Sequence, residues 1–406
     1  MIKIGTDIAE ISRFKEMKDI SLFEKRAFTK REIEYFSTLK NPYQSIAGSF
    51  AAKEAFAKFM GSGFRGFGLH DIEVLHDELG KPYLCFMGRR LETDVSISHS
   101  DTSATAVVCG EGLCIGGKNA EMFKSYSALL PKRKKNINKG DCGKVFIVAG
   151  SLGMVGAACL CANSAIRCGS GLVTLGTPAC VQPTAAAKLT EVMTLPLECE
   201  NGLLSNAAID EIENRLCSCD VCAVGPGLGQ STDIKNIVAK ILRNTTPCVI
   251  DADALNVIST DVNILKTKNC DAVITPHPGE MSRLTGLPIE EIEKNRKEVA
   301  INFANEYNVT VVLKGHETVI ASPSGEVHTN TTGNPGMASG GMGDVLTGVI
   351  ASFLGQGLCT FEAAVLSVFL HGLAGDIAAE SVGEHGLIAS DVIESLPKAI
   401  KAIGMG

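Results

Sequence analysis

Hydrophobic and polar positions follow two different periods in the first part of the chain. Isoleucine or threonine occupies positions 2, 4, 6 and 8 and alternates with Lys3, Gly5 and Asp7, a two-residue period that predicts a half-buried strand presenting Asp7. Residues 47–60 predict an alanine-rich helix that ends near Gly61. Together with this helix, further strands are predicted to form a small α+β unit, at residues 71–76, 82–86, 95–99 and 104–109.

From Lys144 onward the chain repeats a different unit, in which a short apolar run is followed by a glycine turn and a helical segment. Strands that alternate with helices predict a parallel sheet covered on both faces, with ligands bound beyond the carboxyl ends of the strands. Six such strands are predicted, at residues 145–149, 172–175, 221–224, 248–250, 272–274 and 310–313.

These patterns predict an α/β protein with two domains. We expect a small α+β domain at residues 1–112, a linker at 113–125, and a domain with a mostly parallel sheet covered by helices at 126–406. A basic run lies at residues 124–139, with six Lys or Arg and no acid. This run is either a solvated connector or a patch that binds a polyanion.

Composition narrows the class of protein. The 406 residues are 45% hydrophobic and 20% charged, which excludes a disordered chain. The net charge of -7 gives no general attraction to nucleic acid. Fifteen cysteines without a signal peptide predict a reduced, cytoplasmic protein. The uncharged stretch 145–166 is as long as a membrane helix, but glycines at 150, 153 and 156 divide it, so no membrane span is predicted.

Two carboxylates in the first domain are candidates for a metal site. Asp7 lies at a strand end and Glu54 on the alanine-rich helix, with Lys58 four residues later on the same helix face. Mg²⁺ binds through one or two carboxylates together with substrate phosphates, and Lys58 would neutralise charge during transfer of a phosphate-containing group. The alternative is a surface Glu54–Lys58 pair and an unrelated Asp7.

Further motifs in the first domain resemble those of a known family. In order and spacing they are similar to holo-acyl carrier protein synthase over essentially all of residues 1–112. The resemblance implies that Asp7 and Glu54 hold Mg²⁺ on the pyrophosphate of coenzyme A while 4′-phosphopantetheine passes to a serine of acyl carrier protein. It also implies a trimer with active sites between subunits. The motifs are Gly5-Thr6-Asp7 with Arg13, Phe28-Thr29 with Glu32, Phe50-Ala51-Ala52-Lys53-Glu54-Ala55 with Lys58, Gly80-Lys81-Pro82, and Ser96-Ile97-Ser98-His99-Ser100.

The same resemblance implies roles around coenzyme A and the carrier protein. Arg13 matches a position that faces the acidic carrier, and complementary charge chiefly sets encounter rate and orientation. Lys58 and Lys81 are expected to bind coenzyme A or the carrier. His99 is either a general base or a residue that shapes the nucleotide site. In the alternative the domain is a non-catalytic docking module for a carrier protein, which the combination of carboxylates and lysine disfavours.

Two glycine-rich segments in the second domain are candidates for phosphate binding. Residues 225–229 follow a predicted strand and let backbone N–H groups approach a phosphate or ribose. Residues 334–344 run into an apolar helix, and N–H groups at a helix N-terminus make an anion-binding site. Asp344 is either a catalytic base beside that site or a carboxylate that accepts hydrogen bonds from the helix start.

These segments belong to a longer series of motifs that resembles the ribokinase-like ADP/ATP-dependent NAD(P)H-hydrate dehydratases over roughly residues 126–406. The family would imply that a nucleotide phosphorylates the hydroxyl of (6S)-NADHX or (6S)-NADPHX and that loss of phosphate restores NADH or NADPH. Beside the two glycine-rich segments the series comprises Lys139-Gly140-Asp141, Ala149-Gly150-Ser151, Gly156-Ala157-Ala158, Gly169-Ser170-Gly171-Leu172-Val173, Asp251-Ala252-Asp253-Ala254-Leu255-Asn256, Thr275-Pro276-His277-Pro278-Gly279-Glu280 and Lys314-Gly315.

The dehydratase resemblance also implies which residues bind the two substrates. His277 with Glu280 forms either part of this site or a metal pair, and Pro276 and Pro278 favour a rigid substrate-binding turn. ADP is the expected nucleotide, with ATP as the alternative, and Mg²⁺ the expected cation. The competing function is a small-molecule kinase of vitamins or sugars on the same fold. The hydrate is expected to contact Ala158, Gly227, His277 and Asp344, and the adenine nucleotide Lys314, Gly315, His316, Glu317, Thr318 and Gly343.

Overall fold

The computed structural model describes residues 2–403 apart from residues 62, 65–66, 78, 87–88, 92, 112–119 and 134–135. The chain divides into two compact units after Ser125. Most of the linker predicted at residues 113–125 lies outside the described residues. Each unit has a hydrophobic core of its own.

The first unit combines short helices with antiparallel strands. Its elements in chain order are β1 (Ile2–Glu10), α1 (Ile11–Lys15), α2 (Ile20–Ala27), α3 (Lys30–Ser37), α4 (Tyr43–Phe59), β2 (Ile72–His76), β3 (Pro82–Phe86), β4 (Arg89–Arg90), β5 (Asp94–His99) and β6 (Ser103–Glu111). They form two antiparallel sheets with strand orders β1-β6-β5 and β2-β3-β4.

Helix α4 packs against the β1-β6-β5 sheet because its contact face is made of small residues. Ala47, Ala51, Ala52 and Ala55 are all fully buried. A Cβ at Gly5 of β1 would collide with the carbonyl oxygen of Ala55, so the strand can lie this close only with glycine there. The close approach brings the face of β1 that carries Asp7 onto α4.

The buried face of β1 is not the isoleucine face of its alternating pattern. Ile4 and Ile8 are 65% and 67% exposed, whereas Gly5 and Ala9 are buried. The two-residue period shows that β1 has two faces, but it does not show which face packs on α4. The face with Gly5 packs there, because a residue with a Cβ at this position would collide with the helix. The face of β1 that points away from α4 therefore has exposed isoleucine side chains.

The second unit is built on a nine-stranded sheet. Its helices are α5 (Ala120–Leu129, which crosses the division after Ser125), α6 (Val155–Arg167), α7 (Gln182–Lys188), α8 (Ile209–Leu216), α9 (Thr232–Arg243), α10 (Ala252–Ile258), α11 (Pro278–Thr285), α12 (Ile289–Lys294), α13 (Arg296–Tyr307), α14 (Met342–Gly355), α15 (Thr360–Val382) and α16 (Ala389–Ala402). Its strands are β7 (Lys144–Val148), β8 (Leu172–Pro178), β9 (Met193–Leu197), β10 (Cys199–Glu200), β11 (Leu203–Leu204), β12 (Val221–Val224), β13 (Cys248–Ile250), β14 (Ala272–Ile274), β15 (Thr310–Leu313), β16 (Val319–Ala321) and β17 (Val327–Thr329).

The sheet has the strand order β17-β16-β15-β14-β13-β12-β7-β8-β9. The strands from β15 to β9 in this order are parallel, and β16 and β17 are antiparallel additions at one edge. The predicted strands at 221–224, 248–250, 272–274 and 310–313 are observed with those bounds. The α/β class with a mostly parallel sheet is confirmed. Its carboxyl edge gathers the residues that follow each strand.

One described helix, α15, is long and apolar enough to cross a membrane, with a mean hydropathy of 1.4 over its most apolar window. That window is 78% buried inside the fold, where α15 packs on α14 and α16. This burial is typical of a core helix. The uncharged stretch 145–166 forms strand β7 and helix α6, with a glycine turn between them.

Candidate functional site

The carboxyl edge of the large sheet collects polar residues from successive strands. Gly225 follows β12, Asp251 follows β13 and Thr275 follows β14. Because these strands are parallel neighbours, the residues after them meet at one edge. A Cβ at Gly225 would collide with the carbonyl oxygen of Asp251, and its φ of 133° also requires glycine. This glycine lets the β12 and β13 turns touch.

Asp251 is the centre of a buried hydrogen-bond network. Its side chain is 1% exposed and accepts three hydrogen bonds of 2.7 Å, from Lys314 Nζ, Thr275 Oγ1 and Thr347 Oγ1. Burial opposes ionisation of Asp251, but the charge of Lys314 and these bonds outweigh it and lower the pKa. Asp251 is therefore an ionised carboxylate that holds Lys314 in place.

Asp344 lies in the first turn of α14, close to the same network. Burial and the neighbouring negative charge of Asp251 raise the pKa of Asp344 to about 7, although Lys314 acts in the opposite direction. A carboxyl with a pKa near neutrality can both take up and release a proton at physiological pH. Perturbed groups of this kind concentrate at functional sites.

The start of α14 is a candidate position for binding an anion. Gly341 occupies the N-cap position with a φ of 92°, and the N–H groups that follow it are at a helix N-terminus. A Cβ at Gly343 would lie 3.2 Å from Lys314 Nζ and 3.7 Å from Asp251 Oδ2. The backbone at Gly343 thus approaches the ammonium of Lys314 close to Asp344.

His277 is the N-cap of α11, and its Nδ1 accepts from the N–H groups of Gly279 and Glu280 at 3.0 and 3.3 Å. Glu280 completes the capping box by accepting from His277 N at 2.8 Å. The Glu280 side chain is 5% exposed and lies 3.8 Å from Lys314. His277 is 51% exposed, and desolvation followed by the charges of Lys314 and Arg283 lowers its pKa. Its neutral ring is accessible to a ligand.

Other predicted residues of this site fall at two places. Ala158 is fully buried on α6, where a Cβ at Gly150 would meet its side chain at 3.1 Å. Gly227, with a φ of 62°, approaches Met154 and Ala157 of the same region. The turn after β15 carries Gly315, with a φ of 148°, the exposed His316 and Glu317, and Thr318, whose hydroxyl donates to the carbonyl of Gly315 at 2.9 Å. Lys314 begins that turn, which links it to the Asp251 network.

In the first unit, Asp7 and Lys58 form an ion pair with 2.8 Å between Asp7 Oδ1 and Lys58 Nζ. Glu54 precedes Lys58 by one turn on α4, and desolvation followed by the charge of Asp7 raises the pKa of Glu54, whereas Lys58 and Arg13 lower it. Arg13 also lies over the Phe50 ring, 5.8 Å from its centroid. Two carboxylates and two cations therefore share one side of α4 and β1.

Lys81 and His99 are placed away from these carboxylates within one chain. Lys81 Nζ lies 3.4 Å from Asp94 Oδ1 at the start of β5, and Asp94 is paired with Cys109, three positions along β6 from the partner of Asp7. His99 is exposed at the other end of β5. The contacts of a single chain bring neither residue to Asp7.

Sequence reasoning assigned no role to Asp251, which accepts from Lys314, or to Thr275 and Thr347, which donate to Asp251. Asp251 and Thr275 could have been predicted as site residues, because each is a polar residue directly after a buried parallel strand. Thr347 could not have been predicted in this way, because its neighbours along α14 are apolar. Among the described residues no group of three or more His, Cys, Asp or Glu is arranged to hold a metal ion.

Comparison with known families assigns both units. A family model described as NAD(P)H-hydrate dehydratase matches residues 145–398. A model of the 4′-phosphopantetheinyl transferase superfamily matches residues 3–110. Both resemblances seen in the motifs are confirmed at the level of the family.

Individual relatives agree with these assignments. The bifunctional NAD(P)H-hydrate repair enzyme Nnr of Moorella thermoacetica is 45% identical over 274 residues, which are 67% of this chain and 52% of that protein. The chain thus spans about half the length of the curated relatives of this kind that it matches.

Two solved structures are also similar. A crystal structure of the Bacillus subtilis ADP/ATP-dependent NAD(P)H-hydrate dehydratase, co-crystallised with ATP and Mg²⁺, is 31% identical and has a TM-score of 0.60, covering 69% of this chain and 97% of that one. A Bacillus anthracis holo-(acyl-carrier-protein) synthase in complex with coenzyme A is 39% identical, covering 27% of this chain and 96% of that one with a TM-score of 0.24. The chain belongs to the NAD(P)H-hydrate dehydratase family and carries, ahead of that region, a domain of the 4′-phosphopantetheinyl transferase superfamily.

Proposed function

We propose that the second unit, within residues 126–406, dehydrates the (6S)-hydrates of NADH and NADPH with consumption of ADP or ATP. The observation that carries this proposal is the Asp344 carboxyl, whose pKa is raised to about 7 beside the glycine-lined start of α14 and the ammonium of Lys314. A proton acceptor and an anion site in one place suit transfer of a phosphoryl group to a hydroxyl.

In this mechanism Asp344 accepts the proton of the hydrate's hydroxyl group as the terminal phosphoryl group of the nucleotide is transferred to that oxygen. Lys314 and the N–H groups at the start of α14 stabilise the negative charge on the phosphoryl oxygens. Loss of phosphate from the phosphorylated hydrate then restores the dihydronicotinamide ring. Asp251 keeps Lys314 oriented, and its fixed charge adds to the effect of burial in raising the pKa of Asp344.

The remaining residues bind the substrates. Ala158, Gly227 and the accessible His277 contact the hydrate, while the turn of Gly315, His316, Glu317 and Thr318, together with Gly343, holds the adenine nucleotide. This division follows the resemblance to the family. The exposure of His277 and of the β15 turn agrees with it, whereas Ala158 and Gly227 are buried in this structure.

The test incubates purified protein with NADH hydrate, a magnesium salt and either ADP or ATP while the absorbance of the restored ring is followed. We expect recovery of absorbance together with release of orthophosphate, faster with ADP. A flat trace with both nucleotides would overturn the proposal. A stable phosphorylated product, with vitamins or sugars accepted, would instead identify a small-molecule kinase.

The first unit, within residues 1–112, transfers 4′-phosphopantetheine from coenzyme A to a serine of acyl carrier protein. The carboxylates of Asp7 and Glu54, on one side of the unit, are a donor set that fits Mg²⁺ bound through two carboxylates and substrate phosphates. When bound there, Mg²⁺ supplies charge neutralisation for the pyrophosphate of coenzyme A. Desolvation and then the charge of Asp7 raise the pKa of Glu54, and a cation bound beside it would favour its ionised form.

The cations around this carboxylate pair bind the two substrates. Lys58 neutralises charge on the transferred phosphate, and Arg13 lies at the edge where the acidic carrier docks. Lys81 and His99 complete the coenzyme A and carrier site. The test incubates the protein with apo-acyl carrier protein, coenzyme A and Mg²⁺ and measures the carrier's mass, and an unmodified carrier would contradict the proposal.

The first unit assembles as an oligomer, with a trimer expected. The exposed outer face of β1 and β6 carries Ile4, Ile8 and the 38% exposed Val107, and contiguous exposed apolar side chains mark association surfaces. Residues distant from Asp7 within one chain, such as Lys81, would reach it from a neighbour. Ile8→Lys should dissociate the oligomer in light scattering, with Ile289→Lys, at another exposed isoleucine, as the control.

A further inference from the structure

Two cysteines lie side by side at the edge of the large sheet, outside the sites described above. Parallel strands β8 and β9 are in register, with Pro178 opposite Leu197. Cys180 and Cys199 each lie two residues beyond this pair, and the N–H of Ala179 donates to the carbonyl of Leu197 at 2.8 Å, which continues the pairing past the strand ends. The chain turns after Pro178, whose carbonyl accepts from Val181 N at 2.9 Å, so Cys180 lies in this turn and Cys199 on the adjacent segment that follows β9.

The thiols of Cys180 and Cys199 lie close enough to interact electrostatically. Adjacent strands are about 4.8 Å apart, and disulfides bridge Cα atoms about 4.4–6.8 Å apart. The two backbone segments that meet at Ala179 and Leu197 are therefore neighbours at a spacing that a disulfide can bridge. Desolvation and then the Cys199 thiol raise the pKa of Cys180.

A second pair of thiols in the same sheet provides a contrast. Cys222 and Cys248 are register partners on β12 and β13, and their thiols donate to the carbonyls of Ala223 and Val249 at 3.8 Å. Both are fully buried, so a dissolved disulfide cannot reach them. Cys180 is exposed and Cys199 is partly exposed. Accessibility, in addition to proximity, distinguishes the Cys180–Cys199 pair.

The pair lies at the base of a hairpin that contacts the candidate substrate loops. Cys199 pairs with Leu204 in the β10–β11 hairpin. At the tip, the carbonyl of Gly202 accepts from Leu152 N at 3.0 Å, and the Leu203 side chain lies where a Cβ of Gly229 would be. A bond at the base would fix this hairpin against β8.

We propose that Cys180 and Cys199 form a reversible disulfide by exchange with a low-molecular-weight disulfide such as oxidised glutathione. The thiolate of one cysteine attacks glutathione disulfide, which releases one glutathione thiolate and leaves a mixed disulfide. The second protein thiolate then attacks the protein sulfur of that mixed disulfide, forms the Cys180–Cys199 bond and releases the second glutathione. The two protein thiols are oxidised, one glutathione disulfide is reduced to two thiols, and the two protons pass to the released thiolates.

The test uses the full chain, reduced, desalted and then incubated with oxidised glutathione. After remaining thiols are alkylated, digestion without reductant and mass spectrometry identify linked peptides. We expect the peptides containing Cys180 and Cys199 to be linked, with a loss of two alkylatable thiols that dithiothreitol restores. Cys180→Ser should abolish the link and leave glutathione on Cys199. Cys217→Ser, at an exposed cysteine outside the pair, should leave the link unchanged.

Two results would overturn the proposal, and neither depends on the enzymatic activities. One is stable attachment of glutathione to Cys180 in the wild-type chain without a linked peptide. The other is a cross-link that persists in both Cys180→Ser and Cys199→Ser, which would assign it to different cysteines. Both variants replace accessible thiols with a similar-sized hydroxyl, and unchanged circular dichroism spectra would verify their folding.

Discussion

At the scale of single residues, Asp251 and Asp344 show that burial alone does not set a pKa. Asp251 is the more deeply buried of the two, yet its pKa is lowered because Lys314 and two threonine hydroxyls stabilise the carboxylate. The pKa of Asp344 is raised to about 7, by burial and by Asp251 itself. Titratable groups whose pKa values are driven apart in this way identify acid and base roles.

The pH dependence of dehydration should report the ionisation of Asp344. Asp344 must lose its proton before it can accept one, so single-turnover rates should rise with pH through about 7. Asp344→Asn should remove this rise and lower the rate by roughly 10²–10⁴, the usual contribution of a positioned base. Nucleotide binding should persist. A rate for Asp344→Asn within about threefold of wild type would exclude Asp344 as the base.

The same substitution should stabilise the fold at high pH. The pKa of Asp344 is about 7 in the folded chain against 3.8 ordinarily, so between these values the folded state binds more protons and stability falls as pH rises. Asn does not titrate. The gain from Asp344→Asn in the free energy of unfolding should thus be about 1–3 kcal/mol larger at pH 8 than at about pH 5.

Urea denaturation at the two pH values measures this difference in the absence of ligands. Asp261→Asn, at an exposed aspartate, is the matched control. It should change the free energy of unfolding by the same amount at both pH values. An equal effect of Asp344→Asn at both pH values would mean that its carboxyl titrates near its ordinary pKa.

At the scale of elements, helix α4 is fixed in the first unit by a buried ion pair. Lys53 Nζ lies 2.7 Å from Glu32 Oε2, both side chains are fully buried, and Lys53 also donates to the carbonyls of Ala27 and Leu69. Glu32 in turn accepts from Val74 N at 3.0 Å. The pair therefore joins α4 to α3, to the end of α2 and to β2.

Removing the charge of Lys53 should destabilise the first unit. Lys53→Met leaves the carboxylate of Glu32 buried without its partner, which typically costs about 3–5 kcal/mol. Amide hydrogen exchange of residues 43–59, followed by mass spectrometry, should accelerate accordingly. Adding Glu32→Gln should recover part of the loss, because no unpaired charge then remains buried.

A matched lysine on the surface provides the control for this change. Lys30 is 91% exposed and lies 3.9 Å from Glu34. Lys30→Met should leave exchange of residues 43–59 nearly unchanged, since exposed ion pairs contribute little. Equal exchange in Lys53→Met and Lys30→Met would show that the buried pair does not stabilise α4.

At the scale of the whole molecule, the chain joins two units that each have their own core. The proposed activities both use adenine-containing substrates, but the candidate residues of each lie within one unit. Separately cored units generally fold and act without mutual dependence. A substitution in one candidate site should therefore leave the other activity intact.

Asp7→Ala should abolish phosphopantetheine transfer and leave dehydration at the wild-type rate, because it removes one of two carboxylates assigned to Mg²⁺. Asp344→Asn should give the reverse result. Measuring both activities on each purified variant tests the separation. Near-normal transfer by Asp7→Ala at low Mg²⁺ would show that the metal assignment is wrong, and loss of both activities would show that the units are coupled.

The sequence alone determined the class of fold, six of the nine strands of the large sheet and the family of each unit, whereas β9, β16 and β17 were not predicted. Buried parallel strands are continuous apolar runs between glycine turns, so β12 to β15 are visible locally. Asp7, Glu54, Lys58 and Asp344 were also predicted as site candidates, because motif order and helix spacing are properties of the chain itself.

Only the tertiary structure decided which faces and partners these elements have. The alternation in β1 does not specify a buried face, and the close approach of Gly5 to Ala55 turned the isoleucines outward. The Asp251 network joins residues up to 96 positions apart, so neither its bonds nor the raised pKa of Asp344 can be derived from local pattern. The interaction between two charges depends on their separation in space and not along the sequence. Only the fold brings Asp251, Lys314 and Asp344 close together.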